Sequence, residues 1–316
     1  MERYLLAFDF DNTIAQTFVP SPNNLGVLEV HDYVVKDIFG EKGLTIYKNK
    51  LQGLQNRAPL ELVHQLLTQE CSETLKDCAL EFLRTKAESL NGQVPKDKGI
   101  PLDLNLRPLD QVLTELFVRT KLLYLLSEVG QKFPDSRIWP QPTNGFLEFW
   151  ETVTTINSQS DFRIDTAIIS SGHENFIRKT FSVWGIDCPN ILVTDDDIRA
   201  KKYPQQLNRR VKPGVFPFAL AHHEWLRMQA LTDCHFDINY ASAIRDRIVY
   251  FGDDPQKDGM LAENSGVSYG QFGSLAWQHL YNNQFAFDDW CDPAYALKSH
   301  QTYLQVGMPI AEAFIY

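Results

Sequence analysis

The sequence predicts an α/β protein: a Rossmann-like, mostly parallel sheet flanked by helices, with an α-helical segment inserted after the first strand. Short apolar strand candidates, RYLLAFD, IDTAIIS, NILVT and RIVYF, recur at the start of the chain and through its second half. Helical patterns alternate with them, and such alternation implies a largely parallel sheet with helices on both faces. Between residues 16 and 137 the character changes, and strand patterns give way to helical spacing alone.

Each element follows from local pattern. RYLLAFD opens the chain as an apolar run ending in acids. In the insertion, Pro59, Leu60, Val63, Leu66 and Leu67 mark one helical stripe, with Pro59 suited to a first turn. Leu75, Cys78, Ala79, Phe82 and Leu83 mark a second, closed by Gly92. Leu109, Val112, Leu113, Leu116 and Phe117 mark a third running towards Gly130, and the polar, proline-containing stretch 93–108 reads as a loop. In the second half, a helix is expected to begin near His173, and FPFALAHHEWL reads as another. The expected organisation is therefore a discontinuous core of residues 1–15 and 138–316, interrupted by a helical domain over 16–137.

Composition narrows the function classes. A chain of 316 residues buries a sizeable core, in one large domain or two smaller ones. Forty acidic residues against thirty basic ones give a formal charge of −10, so a nucleic-acid scaffold is not expected, and an anionic ligand would need local positive charge or a metal ion. The five cysteines show no close metal-ligand spacing, which argues against a disulfide framework or a zinc site and for a reducing compartment. The N-terminus lacks the features of a signal peptide, and charges interrupt every stretch long enough to span a bilayer. A cytoplasmic protein with no membrane partner is expected.

In a parallel α/β sheet the loops at the carboxyl ends of the strands converge on one edge, so distant residues share a site there. Four such places carry chemistry: Asp9-Phe10-Asp11-Asn12-Thr13; Ser170-Ser171-Gly172; Lys212, before Pro213 and the FPFALAHHEWL helix; and Gly252-Asp253-Asp254-Pro255-Gln256-Lys257-Asp258. Taken singly, each has a bland reading. Paired aspartates can cap a turn, Ser170 a helix, and Lys212 can be a solvated surface lysine. Asp195, Asp196 and Asp197 after NILVT read better as a turn and helix cap than as metal ligands. His173 and Glu174 read better as a first helical turn with an acid at the positive dipole end than as substrate contacts. His222 and His223 adjoin one another on a helix, point apart and make a poor metal pair. Lys48, Lys50 and Arg57 in the insertion are candidate substrate contacts whose simpler reading is solvent exposure.

Together and in this order, the four segments resemble the motifs of the haloacid dehalogenase superfamily. Its DxDxT after an apolar strand matches Asp9, Asp11 and Thr13; its serine or threonine matches Ser170; its lysine matches Lys212; its GD followed by a further acid matches Gly252, Asp253 and Asp258. The resemblance covers residues 1–15 and about 138–270. It implies that Asp9 is a nucleophile forming an aspartyl-phosphate and that Asp11 protonates the leaving oxygen and then activates water. It also implies that Mg2+ is bound by the Asp9 carboxylate, the Asp11 backbone carbonyl and the Asp253 carboxylate.

Physical chemistry agrees with these roles. Residues i and i+2 of an extended chain face the same side, so Asp11 can share a reacting group with Asp9. A phosphate monoester repels a carboxylate unless cations and N–H groups offset the charge, which suits Lys212, Ser170, Ser171 and a hard cation with oxygen ligands. Asp254 reads either as support for the metal or as a turn residue, which leaves the fourth motif open by one position; Gly252 directly before it favours Asp253. The dehalogenase branch lacks the second acid of the first motif, so Asp11 favours phosphoryl chemistry, and no P-loop sequence is present. The insertion has the place of a cap over the site. The expected function is a magnesium-dependent phosphatase acting on a small phosphorylated metabolite. The alternatives are a phosphotransferase or phosphomutase, and a non-catalytic phosphate-ligand binding protein. The segment QFAFDDWCDPAY receives no role from the sequence.

Overall fold

The protein is described by a computed structural model covering residues 2–17, 139–198, 210–229, 245–273 and 284–315, with single positions between 32 and 49. The helical stripes expected over 59–117 lie outside the described residues. The chain divides into two compact units, one of residues 1–16 and 141–316 and the other of residues 17–140.

Among the described residues of the first unit, six strands form one sheet in the order β3-β2-β1-β4-β5-β6. They are β1 (Arg3–Phe8), β2 (Arg163–Ile169), β3 (Ile191–Val193), β4 (Ile248–Gly252), β5 (Ser268–Phe272) and β6 (Gln284–Phe287). Every neighbouring pair is parallel, and β1 lies at the centre between β2 and β4. The sheet order reverses beside β1, and side by side at that point stand the carboxyl ends of β1, β2 and β4. This is where a doubly wound sheet opens a crevice for ligands.

Helices α1 (Phe146–Gln159), α2 (Glu174–Trp184), α3 (Asp195–Ile198), α4 (Phe216–Met228), α5 (Met260–Ser265), α6 (Cys291–Ser299), α7 (Gln301–Gln305) and α8 (Glu312–Ile315) complete the described part of this unit. Strand parity sorts the core into two layers, because successive side chains point to opposite faces. Leu5, Ala7, Ala167, Ile169, Ile248 and Tyr250 meet Phe218, Ala221 and Trp225 of α4 and Leu261 of α5. The other parity of β1 and β4 presents Phe8 and Phe251, paired in register and stacked at 5.2 Å, to Phe149 of α1 and to Trp290 just before α6. Burial on both faces explains why RYLLAF and IVYFG are unbroken apolar runs. Each large side chain so buried contributes about 1.5–3 kcal/mol before entropic costs.

Gly145 begins α1 with φ +72°, and a Cβ there would collide with the Asp289 carboxylate and the Cys291 backbone nitrogen, so the start of α1 is moulded onto the turn before α6. Within the second unit, the described positions between 32 and 49 are helical, Val35 and Tyr47 are buried, and Lys48 pairs with Asp32 at 2.9 Å. Lys50 and Arg57 lie outside the described residues. No described helix is long and apolar enough to cross a membrane.

At the amino edge of the sheet, Asp165 is almost fully buried and saturated with donors: Arg3 in a two-pronged contact at 2.7 and 2.8 Å, Arg163 at 3.0 Å and the Trp225 indole N–H at 2.8 Å. Removing a carboxylate from such a network leaves its partners without an acceptor. Asp165→Ala is expected to destabilise the protein by about 2–3 kcal/mol, discounted for the partial exposure of both arginines. Chemical denaturation measures it, and the arrangement at the carboxyl ends of the strands, remote from this edge, is expected to be unchanged.

Candidate active site

The chain leaves β1 still paired, the Asp9 N–H donating to the Phe251 carbonyl at 2.7 Å, so Asp9 is held rigidly at the sheet edge. Its parity is that of Ala7, which directs it towards the α4 side of the sheet. There Lys212, immediately before α4, donates to Asp9 Oδ1 at 2.5 Å and to Asp258 Oδ1 at 2.8 Å. All three side chains are close to fully buried. The Tyr250 hydroxyl donates to the same Asp258 oxygen at 2.9 Å, and the Lys212 ammonium lies 5.4 Å from the Tyr250 ring centre. Asp258 Oδ2 accepts the Asp254 N–H at 3.3 Å. The Tyr269 hydroxyl donates to the Gly252 carbonyl at 3.0 Å and steadies the end of β4.

Gly252 is a matter of space. A Cβ there would stand 2.5 Å from Asp258 Cγ, so only glycine lets the carboxylate lie against the strand end. Asp253 accepts a hydrogen bond from the Thr13 hydroxyl at 3.2 Å, which ties the first motif to the fourth. Carboxylate oxygens of Asp9, Asp253 and Asp258 all fall within 4.8 Å of one another, a candidate cation site among the described residues. Asp254 behaves differently. Its Oδ1 caps the following π-helical turn (Pro255–Gly259), accepting from Gln256 N and Lys257 N at 2.9 and 3.1 Å, so its carboxylate serves the turn. Asp253 and Asp258, rather than Asp254, are the acids of this segment whose carboxylates gather with that of Asp9. Asp254 before Pro255 carries the signal in sequence, an N-cap followed by proline at the first helical position.

Ser170, fully buried at the end of β2, accepts the Gly172 N–H at 2.9 Å. Asp11 approaches the same turn: a Cβ on Gly172 would stand 3.2 Å from Ser170 Oγ and 3.9 Å from Asp11 Oδ2. Asn12, at φ +59°, turns the chain away after Asp11. Ser171 is exposed on the loop. The structure therefore brings Asp9, Asp11, Thr13, Ser170, Lys212, Asp253 and Asp258 to one edge.

The rival clusters have structural duties. Asp197 accepts the Thr194 N–H and hydroxyl at 3.1 and 3.2 Å, and the Asp195 N–H donates to the Gly172 carbonyl at 3.0 Å. Glu174 pairs with Arg178 one turn along α2, and the His222 ring lies 5.8 Å from that of Phe218 and 6.1 Å from that of Trp225. Burial brings the His222 pKa down to about 4, so it is neutral at pH 7.

Buried charge sets the electrostatics. Burial pushes the Asp9 carboxyl up; Lys212 opposes it, and Asp258 and Asp11 push the same way as burial. Burial alone would lower the Lys212 pKa, but the charges of Asp258 and Asp9 outweigh it and hold the ammonium protonated. Tyr250 is raised well above its usual value by burial and then by Asp258, so its hydroxyl remains a donor.

A parallel sheet whose edge gathers an acid pair from β1, a hydroxyl from β2, a lysine before α4 and a Gly-Asp pair from β4 is the architecture that the sequence resemblance implies. In its parallel α/β sheet and in the order of its four motifs, the chain resembles the haloacid dehalogenase superfamily. No family profile and no curated protein matches the chain. Among solved structures it is similar to a HAD phosphatase from Thermococcus onnurineus, with 14% identity over 94% of this chain and 98% of that one and a TM-score of 0.44. It is similar also to CbbY from Rhodobacter sphaeroides in complex with phosphate, with 14% identity, coverage of 91% and 94% and a TM-score of 0.42. A 2-haloacid dehalogenase from Pseudomonas syringae gives 16% identity, coverage of 95% and 99% and a TM-score of 0.44.

Asp253 offers a pH test. Its pKa is pushed up to about 6 by burial and then by Asp258, with the Thr13 hydroxyl among the opposing contacts. An acid whose pKa is raised by folding contributes stability that is complete below its unfolded value, near pH 4, and is lost as pH rises through its folded value. In chelator, Asp253→Asn is therefore expected to gain stability relative to the unaltered protein as pH rises from about 4 to about 7. Melting temperatures of both proteins across that range check it, with the difference cancelling other carboxylates; a constant difference contradicts the assignment.

Proposed function

We propose that the protein is a magnesium-dependent phosphatase that hydrolyses a small-molecule phosphomonoester through an aspartyl-phosphate on Asp9. The observation that carries this reading is the lysine bridge: Lys212 Nζ holds Asp9 Oδ1 at 2.5 Å and Asp258 Oδ1 at 2.8 Å, in a buried edge where Asp11 faces Ser170 and Gly172. A structural ion pair needs no second acid beside a buried hydroxyl turn. An acyl-phosphate chemistry needs both.

The donor set fits a hard divalent cation, since three carboxylates supply oxygen alone. Asp258 already serves Lys212, Tyr250 and the Asp254 N–H, which supports the Asp9 and Asp253 carboxylates, with the Asp11 backbone carbonyl, as the ligands and Asp258 as the residue that orients Lys212. Magnesium bound there would offset carboxylate repulsion and the negative charge of the substrate.

Lys212 opposes the larger effect of burial on the Asp9 carboxyl and fixes one of its oxygens. Asp9 attacks phosphorus as the ester P–O bond breaks, and Asp11 delivers its proton to the leaving oxygen. Asp11, now a carboxylate, takes a proton from water as that water attacks the same phosphorus, releasing inorganic phosphate and restoring Asp9. The phosphoryl oxygens are held by the Ser170 hydroxyl and by Ser171 on the adjacent loop.

Asp9→Asn is expected to retain the fold and lose turnover by on the order of a thousandfold or more. A panel of phosphomonoesters with and without magnesium checks the reading. Activity independent of magnesium, or retained by Asp9→Asn, overturns it.

The unit of residues 17–140 is inserted between the first and second motifs, a position that supports its acting as the cap that selects substrate. With that unit replaced by a short linker, the folded core is expected to hydrolyse a small activated aryl phosphate but to lose the selectivity of the full chain. An unchanged selectivity profile excludes this role.

A further inference from the structure

The first-motif loop has an anchor that none of the four motifs contains. The Thr13 carbonyl accepts the Thr143 hydroxyl at 2.8 Å and the Trp290 indole N–H at 3.1 Å, and the same N–H reaches Thr143 Oγ1 at 3.0 Å. The three groups form a closed ring of donors and acceptors, and Trp290 is fully buried. Both partners are fixed from their own sides. The Thr143 N–H donates to the Ile14 carbonyl at 2.9 Å, and the Trp290 N–H to the Asn144 carbonyl at 3.0 Å. One residue therefore carries two duties, because the hydroxyl of Thr13 is the group that holds Asp253.

We propose that Trp290, together with Thr143, is a positioning residue for the site: by fixing the Thr13 carbonyl it sets the loop that carries Asp9 and Asp11 against Asp253. The simpler role for a buried tryptophan is to fill space. Here its ring stacks on Phe272 at 5.9 Å and meets Phe287 edge-on at 4.7 Å, so packing and hydrogen bonding can be separated by substitution. A buried carbonyl that loses its donor makes the loop less costly to open, and partners of a metal ligand set its affinity. The part concerning magnesium rests on the function proposed above; the part concerning loop order does not.

The experiment uses the full chain in three variants. Trp290→Phe keeps an aromatic ring and deletes the N–H. Thr143→Val deletes the hydroxyl and leaves the indole in place. Phe272→Leu removes packing from Trp290 and leaves both hydrogen bonds. Amide hydrogen exchange of the peptide covering residues 9–16 is followed without metal, and magnesium affinity is measured by calorimetry. Trp290→Phe is expected to speed exchange of that peptide and to weaken magnesium binding by about tenfold or more, with kcat falling and KM little changed. Thr143→Val should act in the same direction. Phe272→Leu should lower the melting temperature and leave loop exchange and magnesium affinity as they are. Exchange at the unaltered rate in both Trp290→Phe and Thr143→Val, or equal acceleration by Phe272→Leu, overturns the proposal. If the unaltered protein binds no magnesium, the metal reading falls, and the exchange comparison still decides whether the loop is anchored in this way.

Discussion

A buried ammonium shared by two buried carboxylates constrains everything at the sheet edge. Lys212 sits between Asp9, just after the first strand, and Asp258, on the turn after the fourth. Desolvating a lysine or an aspartate alone is expensive, and the cost is offset here only because each charge has its partner in place. The remaining features follow from that requirement. Gly252 has no side chain because Asp258 must lie against the strand, Tyr250 gives up its hydroxyl to the same carboxylate, and the Asp254 N–H closes the other oxygen.

That constraint also decides which acids are left for chemistry. Asp258 is saturated by neighbours, and Asp254 by the turn it caps, whereas Asp253 is held by the Thr13 hydroxyl. The ends of β1 and β4 thus present Asp9, Asp11 and Asp253 at this edge, with the Lys212 ammonium behind Asp9 and the Ser170–Gly172 turn beside Asp11. Such an arrangement holds its charges in place beforehand, so they need not be assembled by reorganising solvent.

Much of this was legible in the sequence because strand ends are marked by where apolar runs stop. Asp9, Ser170, Lys212 and Asp253 could be aligned at one edge without coordinates, since a parallel sheet leaves few other places for them. Two strands were not legible. SYGQF and QFAF are short and carry glutamines and a glycine; Gln271 is nonetheless buried, and Gly270 leaves room for the Phe251 ring. Tyr250 read as an ordinary core residue of RIVYF, because its partner comes from a turn that forms only after the strand ends. Trp290 lies 277 positions from the carbonyl it holds, and no local periodicity reports such a contact. Its only trace was an aromatic-rich segment without a role.

The central position of β1 in the sheet has a consequence for how the chain is made. Arg3 meets Asp165, 162 positions further along, so the first strand emerges from the ribosome long before either of its neighbours exists. At about 5–20 residues per second, that interval is roughly 8–30 s. Throughout it, a largely apolar segment, YLLAF after Arg3, has unpaired N–H and C=O groups on both sides, the kind of segment that templates aggregation when left open. Most segments arriving in the meantime belong to the inserted unit of residues 17–140, which is compact in itself. Synthesis from the N-terminus therefore puts a premium on a chaperone, or on early structure in the insertion, to shield RYLLAF until β2 is complete.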